Sequence, residues 1–261
     1  MRNYKKTVIL VASVVALATG AFGGIRVAIW SDHDGSLGDV QAKVVANGTF
    51  DVVDTWNVKT QGVPSLFQAL DYDALLVYGG MSSWSAAIRD ELGNVLADYS
   101  DTGRGVVTAT FCLGSPSGSW IIGGRFNQET YHVFTPFQSQ LSGQASLGTV
   151  YVPDHPIMAG VTTFDGGYYS YRDFNLGLTP GTVRIADWTD GNPLIGSKEL
   201  AGIGRRADLN FFPLSGDYLS GGWVTTTDGG KILANSLNWA AVPEPATGGL
   251  GLLLALGLRR R

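Results

Sequence analysis

The sequence predicts an α/β fold in which helices cover both faces of a mostly parallel sheet, with a less regular second half. Residues 74–78 have the unbroken apolar character of a strand buried on both faces, and residues 105–111 predict the next buried strand. Between them, residues 85–99 carry apolar side chains at helical spacing. Strands that alternate with helices in this way are typical of a parallel, doubly wound sheet.

The residues before this segment continue the alternation. Residues 25–30 form an apolar strand, residues 37–46 a helix with one apolar face, and residues 50–56 a second strand. Residues 64–70 predict a helical turn that has Pro64 in its first turn.

The second half predicts strands at residues 149–152, 182–187, 193–196 and 201–205, some of them in antiparallel pairs. Residues 230–241 predict a closing helix, because apolar side chains recur there at helical spacing. The central domain therefore extends over residues 24–241.

The N-terminus predicts a secretory signal peptide over residues 1–23. Arg2, Lys5 and Lys6 form a basic start, residues 7–18 are apolar, and small residues follow. This apolar run is too short for a membrane anchor, and the small residues after it offer cleavage sites.

The last twenty residues have three parts: a proline-rich start, an apolar run at residues 246–258, and a basic end. The prolines favour an extended, accessible segment. The apolar run has 13 residues, fewer than the roughly 20 that span a bilayer as a helix. The polar parts consist of Pro243, Glu244, Pro245, Arg259, Arg260 and Arg261.

This tail, residues 242–261, resembles the PEP-CTERM sorting signal of Gram-negative bacteria. In that family, an exosortase processes the protein at or near the motif during delivery to the cell surface. The resemblance implies three partners: the secretion machinery, an exosortase-type sorting peptidase and, transiently, the inner membrane. It also implies a final location at the cell surface or in the extracellular matrix.

The composition narrows the choice of partners. The chain carries 18 basic and 22 acidic residues, and removing the six terminal basic residues and Glu244 leaves 12 basic against 21 acidic. A domain this acidic is not suited to nucleic acid or anionic lipid. Cys112 is the only cysteine, so the chain cannot form an internal disulfide.

A second resemblance covers the central domain. The sequence Ala-Leu-Leu-Val-Tyr-Gly-Gly at residues 74–80, together with residues 96–99 and 103–107, resembles the class I glutamine amidotransferase-like superfamily. Residues 154–161 are similar to a segment of its ThuA-like branch, and residues 233–240 fit the same domains. The resemblance implies a flavodoxin-like α/β fold.

Cys112 follows a predicted buried strand, where amidotransferases of this fold place their cysteine on a sharp turn. A helix N-terminus beside such a thiol would lower its pKa and activate it. The family pairs that cysteine with a late His-x-Glu, which this sequence lacks. We therefore favour a buried structural residue and expect no amidotransferase activity.

Acidic residues follow the first predicted strand. Asp32, His33, Asp34 and Asp39 lie where the carboxyl end of a strand meets a ligand crevice. Such oxygen-rich clusters can bind Ca²⁺ or Mg²⁺, but the spacing does not match an EF-hand. A polar loop that caps the next helix is the favoured interpretation, and we expect no bound metal.

His155 stands beside Asp154 and before Pro156. A histidine next to a carboxylate can act as a general base, but nothing else at this spacing supports that role. We favour a structural turn that docks the following apolar residues.

Aromatic residues recur in the polar loops of the second half. They either line a surface that stacks on sugar rings or pin the loops onto the sheet. The sequence contains no phosphate-cradling glycine loop, so we expect no cofactor. These aromatic residues are Trp120, Phe126, Tyr131, Phe134, Phe137, Phe164, Tyr168, Tyr169, Tyr171 and Phe174.

The sequence thus favours a non-catalytic, surface-sorted domain associated with the envelope or an exopolysaccharide matrix. The alternative is a hydrolase or carbohydrate-active enzyme with a site near Asp32, His33, Tyr78 and Cys112. A purely structural surface protein is a third hypothesis.

Overall fold

The computed structural model describes residues 24–80, 84–114, 121–136, 140–199 and 201–242. The predicted signal peptide, residues 1–23, and the predicted sorting signal beyond Val242 lie outside the described residues. Within the described part of the chain, no helix has both the length and the apolar character needed to cross a membrane.

The first half of the domain alternates strands and helices as predicted. Its elements are β1 (Arg26–Ser31), α1 (Asp34–Asn47), β2 (Val52–Asn57), α2 (Leu66–Ala69), β3 (Ala74–Tyr78), α3 (Ala86–Asp101) and β4 (Gly105–Ala109). Helix α3 begins after Ser85, whose side chain accepts a hydrogen bond from the Ile88 N–H at 3.3 Å.

Helix α2 differs in detail from its prediction. Pro64 lies outside the helix, because Ser65 is the N-cap and forms a capping box with Gln68. The helix is a single turn, so it covers little of the sheet beneath it.

The second half holds more strands and fewer helices. Its elements are β5 (Phe134–Thr135), β6 (Leu147–Val150), β7 (Gly177–Leu178), β8 (Thr182–Trp188), β9 (Pro193–Lys198), β10 (Arg206–Leu209) and α4 (Gly229–Ala241). Short 3₁₀ turns occur at Gly124–Phe126 and Pro156–Met158.

The strand predicted at residues 201–205 is wrong, because the strand begins at Arg206. Residues 201–203 form turn and bend backbone, and Gly202 has a φ of +89°, which favours glycine. The actual strand contains the charged residues Arg206 and Asp208, so its apolar pattern is weak.

Eight of the described strands form one sheet in the order β2-β1-β3-β4-β10-β9-β8-β6, and β5 pairs with β7 in a separate two-stranded sheet. From β2 to β10 all neighbouring strands are parallel. These five strands follow the 2-1-3-4-5 order of flavodoxin-like folds. Strands β9, β8 and β6 extend the sheet in antiparallel pairs. The flavodoxin-like α/β fold is therefore confirmed.

Helices cover both faces of the sheet, as predicted. In β1, Val27 and Ile29 join the core beneath α1 and α4, whereas Ala28 and Trp30 join the core beneath α2 and α3. Helices α1 and α4 approach closely, since a Cβ on Gly230 would lie 2.5 Å from the Asn47 amide nitrogen.

Both ends of the described domain lie at the amino edge of the sheet, where the parallel strands begin. At the start of β1 and β2, the Asp51 N–H donates to the Ile25 carbonyl at 2.9 Å. At the other end, α4 closes on the first residue of β4. A Cβ on Gly105 would come within 2.2 Å of the Ala240 carbonyl oxygen.

Candidate binding site at the carboxyl edge of the sheet

The ends of β1, β3, β4 and β10 meet at one edge of the sheet, which we call the carboxyl edge. Ligands of doubly wound α/β proteins bind at this edge. Asp32 follows β1, Gly80 lies just after β3, Cys112 after β4 and Asn210 directly after β10. The Gly80 N–H donates to Asp32 Oδ1, and this hydrogen bond links the end of β3 to the end of β1.

Cys112 lies in a tight turn, where its N–H donates to the Ala109 carbonyl at 2.9 Å. Burial raises the pKa of the thiol well above its ordinary value, and the charge of Asp32 raises it further, with smaller contributions from Asp208 and Asp173. Only the thiolate is a good nucleophile. The structure therefore contradicts the lowered pKa that catalysis by this thiol would need.

The two candidate histidines lie in different parts of the molecule. His33 is the N-cap residue of α1 at the carboxyl edge, and its ring meets the Tyr218 ring edge-on at 5.9 Å. His155 Nδ1 accepts from the Ile157 N–H at 3.2 Å, and its ring packs 5.2 Å from Trp239. His155 thus caps a 3₁₀ turn beneath α4.

The three candidate acidic residues have separate partners. Asp32 is buried, and burial raises the pKa of its carboxyl group. Asp34 accepts from the Asn57 amide at 2.5 Å, and Asp39 accepts from the N–H and hydroxyl of Ser215, each at 2.8 Å. Among the described residues, no group of three or more His, Cys, Asp or Glu side chains could hold a metal ion.

Asp173 is a buried acid that sequence reasoning missed. The Asn210 side chain holds its backbone in both directions, accepting from the Asp173 N–H at 2.7 Å and donating to its carbonyl at 2.8 Å. Neither carboxyl oxygen has a hydrogen-bond partner within the described structure, and burial raises its pKa well above the ordinary value. The sequence offers no signal for this burial.

A row of aromatic rings, which we call the aromatic ladder, leads from solvent into the carboxyl edge. Tyr168 is 75% exposed and meets Tyr169 edge-on at 5.3 Å. Tyr169 stacks on Tyr171 at 5.2 Å with an angle of 5° between the rings. Tyr171 then contacts Phe111 at 5.5 Å and Phe212 at 6.1 Å. The inner end of the ladder thus lies just beyond β4 and β10.

Most other aromatic residues singled out in the sequence pin loops onto the core. Trp120 and Phe137 lie outside the described residues, and Phe174 is half-buried. The buried members are Phe126, Tyr131, Phe134 and Phe164.

A buried ion pair on β10 holds one of these loops. Arg206 donates to Asp208 Oδ1 at 3.2 Å and to the Tyr131 carbonyl at 2.8 Å. Asp208 Oδ2 accepts from the N–H groups of Val133 and Phe134, each at 3.0 Å. The pair therefore anchors the loop before β5 to the centre of the sheet.

His132, the third histidine, belongs to the same buried region. Burial lowers its pKa to about 4, and its Nε2 lies 3.0 Å from the Asn127 amide oxygen. It is therefore neutral at pH 7 and serves the packing of this loop.

Comparison with known proteins identifies similar shapes at low sequence identity. Neither a protein-family model nor a curated protein matches the sequence. A glutamine amidotransferase from Methylobacillus flagellatus is 12% identical with a TM-score of 0.44, over 74% of this chain and 71% of that chain. The CTPS glutaminase domain of Trypanosoma brucei is 10% identical with a TM-score of 0.44, over 85% of this chain and 96% of that chain.

The carbohydrate deacetylase Agd3 is 15% identical with a TM-score of 0.46 over 72% of this chain. This chain spans 29% of the length of that deacetylase. The fold assignment itself rests on the strand order of the sheet.

Proposed function

We propose that this protein is exported, sorted to the cell surface, and binds envelope or matrix polysaccharide without catalysing a reaction. The expectation of export comes from residues 1–23, and that of sorting by an exosortase-type peptidase comes from residues 242–261. The binding role comes from the central domain.

The aromatic ladder is the observation that carries the binding role. Tyr168 is largely exposed but supported from behind by Tyr169, so a rigid ring is presented to solvent at the carboxyl edge. Such a ring stacks on the apolar face of a sugar, while its hydroxyl hydrogen-bonds to sugar hydroxyl groups. The acidic domain favours a neutral or cationic polysaccharide over an anionic one.

The state of Cys112 supports the non-catalytic part of the proposal. Its thiol is buried, and burial and neighbouring carboxyl groups raise its pKa, so it is neutral at pH 7. A neutral thiol does not attack a carbonyl carbon efficiently.

The first test replaces the exposed ring of the ladder. We expect Tyr168→Ala to weaken binding to polysaccharide from the native host about three- to tenfold, the value of one aromatic contact. Affinity electrophoresis of the folded protein measures this change.

Tyr151→Ala is the matched control, because Tyr151 is also exposed but directly follows β6, whose antiparallel pairing with β8 places it away from the carboxyl edge. Equal binding by the wild type and Tyr168→Ala would contradict the proposed role of the ladder.

A hydrolase remains the second candidate, favoured by one specific observation. Asp32 and Asp173 lie near Cys112 at the carboxyl edge, and burial raises the pKa of both carboxyl groups. A carboxyl group whose pKa is raised by burial can act as a general acid. Turnover of a chromogenic glycoside or ester that is lost in Asp32→Asn would identify this activity.

A further inference from the structure

A cavity lies beside β2, the strand at one end of the eight-stranded sheet. It has a volume of about 220 Å³ and is open to solvent between β1, β2 and the chain around α2. We call it the β2 trough. The residues of its wall that matter most are Trp30, Trp56, Tyr72, Asp54, Asp71 and Gln68.

The trough exists because α2 is short. Trp30 and Trp56 are paired in register on neighbouring parallel strands, so both side chains lie on the same face. A flavodoxin-like fold normally covers this face with a full helix after β2, but α2 spans only Leu66–Ala69. Trp30 is buried beneath this face, whereas Trp56 is half-buried, so one indole of the floor is left partly uncovered.

Hydrogen bonds hold the aromatic side chains of the trough in place. The Trp56 indole N–H donates to the Gly62 carbonyl at 2.8 Å, and the Tyr72 hydroxyl donates to Asp54 Oδ2 at 2.8 Å. Burial and the bond to Asp54 raise the pKa of Tyr72 to about 12, so its hydroxyl keeps its proton. The site is thus rigid before any ligand arrives.

The charges at the trough favour a cation. Asp54 and Asp71 contribute two exposed carboxylates to its wall. Arg26 donates to the Asp71 backbone carbonyl at 3.0 Å and lies 6.0 Å from the centre of the Tyr72 ring. A second cation, Arg104, donates to the Tyr72 carbonyl and lies 3.7 Å from the Asp73 carboxylate. Two cations against three carboxylates leave the surroundings of the trough with one negative charge in excess.

We propose that the β2 trough binds a protonated amino sugar. The half-buried Trp56 indole would stack on the apolar side of one pyranose ring, and the ammonium group would lie against the Trp56 ring and the Asp54 carboxylate. The volume is below the roughly 300–1,000 Å³ of sites for drug-sized ligands, which fits a single ring. This site is separate from the aromatic ladder and does not depend on the function proposed for it.

The test follows the indole N–H resonance of Trp56 by NMR, assigned by its loss in Trp56→Phe. Glucosamine, glucose and N-acetylglucosamine are titrated separately at pH 6, where a free amine is protonated. We expect glucosamine to shift the resonance with saturation, and the two neutral sugars to bind about three- to tenfold more weakly because they lack the charge.

Asp54→Asn removes one charge but leaves an oxygen that accepts from Tyr72, and we expect it to weaken glucosamine binding by a similar factor. Asp154→Asn is the matched control, since it removes an exposed carboxylate outside the trough. Equal binding of glucosamine and glucose would overturn the proposal, as would unchanged glucosamine binding in Asp54→Asn.

Choline separates a sugar site from a general ammonium site. Binding of choline as tight as that of glucosamine would overturn the assignment to a sugar, whereas weaker binding supports it. Tyr168→Ala should leave the glucosamine titration unchanged, so failure of the ladder proposal and failure of the trough proposal are distinguishable.

Discussion

The carboxyl group of Asp173 is enclosed by the protein with no hydrogen-bond partner in the described structure. This burial favours the protonated, neutral form of the group. An ionised carboxylate in such a place loses its hydration without compensation, so the group keeps its proton far above its ordinary pKa. Its folded-state pKa thus exceeds its unfolded-state pKa. Its contribution to stability is complete at low pH and falls as the pH rises from the unfolded value toward the folded one.

We therefore predict that Asp173→Asn flattens the dependence of stability on pH above pH 4. The wild type should lose up to about 1.4 kcal/mol of unfolding free energy per pH unit relative to the variant, because only the wild type must release this proton. Urea denaturation between pH 4 and pH 8 measures the difference. Parallel curves for the two proteins would show that Asp173 does not titrate in this way.

The position of Asp173 also explains why sequence reasoning missed it. Asp32 could be singled out because it directly follows an apolar strand. Asp173 lies in a loop, and its burial depends on Asn210, which is 37 residues away in the sequence. Burial that depends on such a distant contact leaves no local pattern.

Among the elements, β10 is the strand that buries an ion pair. Arg206 and Asp208 are both fully buried within it, and burial lowers the pKa of Arg206 to about 10. Arg206 therefore stays charged at pH 7 and depends on Asp208 for compensation. The same carboxylate also binds the backbone of Val133 and Phe134, so the strand and the loop are held together.

We predict that Asp208→Ala lowers the free energy of unfolding by about 3–5 kcal/mol, because it leaves the Arg206 charge buried and unpaired. Hydrogen exchange at the amides of Val133 and Phe134 should accelerate, since both lose their acceptor. Chemical denaturation and hydrogen exchange measure the two effects.

The control for this prediction is Thr108→Val, which removes one hydrogen bond to Asp208 and should cost only about 1 kcal/mol. An Asp208→Ala variant as stable as Thr108→Val would contradict the proposed role of the ion pair.

The elements that were predicted well have simple patterns. Strand β3 is apolar on both faces, β4 is buried along its length with Thr108 as its one polar side chain, and α3 repeats its apolar side chains at helical spacing, so local sequence determines them. Strand β10 instead carries two charges that pair with each other and with backbone groups from a distant loop, and α2 is shorter than its pattern suggests. These two departures give the molecule its buried ion pair and its β2 trough.

For the whole molecule, the decisive measurement is the intact mass of the protein recovered from the surface or medium of its native host. We predict a chain that starts after residues 18–24 and ends near residues 243–246, because we propose that the signal peptide and the sorting signal are both processed. A mass that retains Arg261 would contradict processing of the tail.

The closure of α4 on β4 also determines how the domain would be oriented on a surface. The chain continues past Val242 from the amino edge, and the aromatic ladder lies at the opposite, carboxyl edge. A tether attached after Val242 would hold the domain by its amino edge, so that Tyr168 would face away from the cell surface. Neighbouring molecules anchored in this way would present many exposed aromatic rings to the matrix. Contacts that are weak singly would then give stronger binding together through avidity.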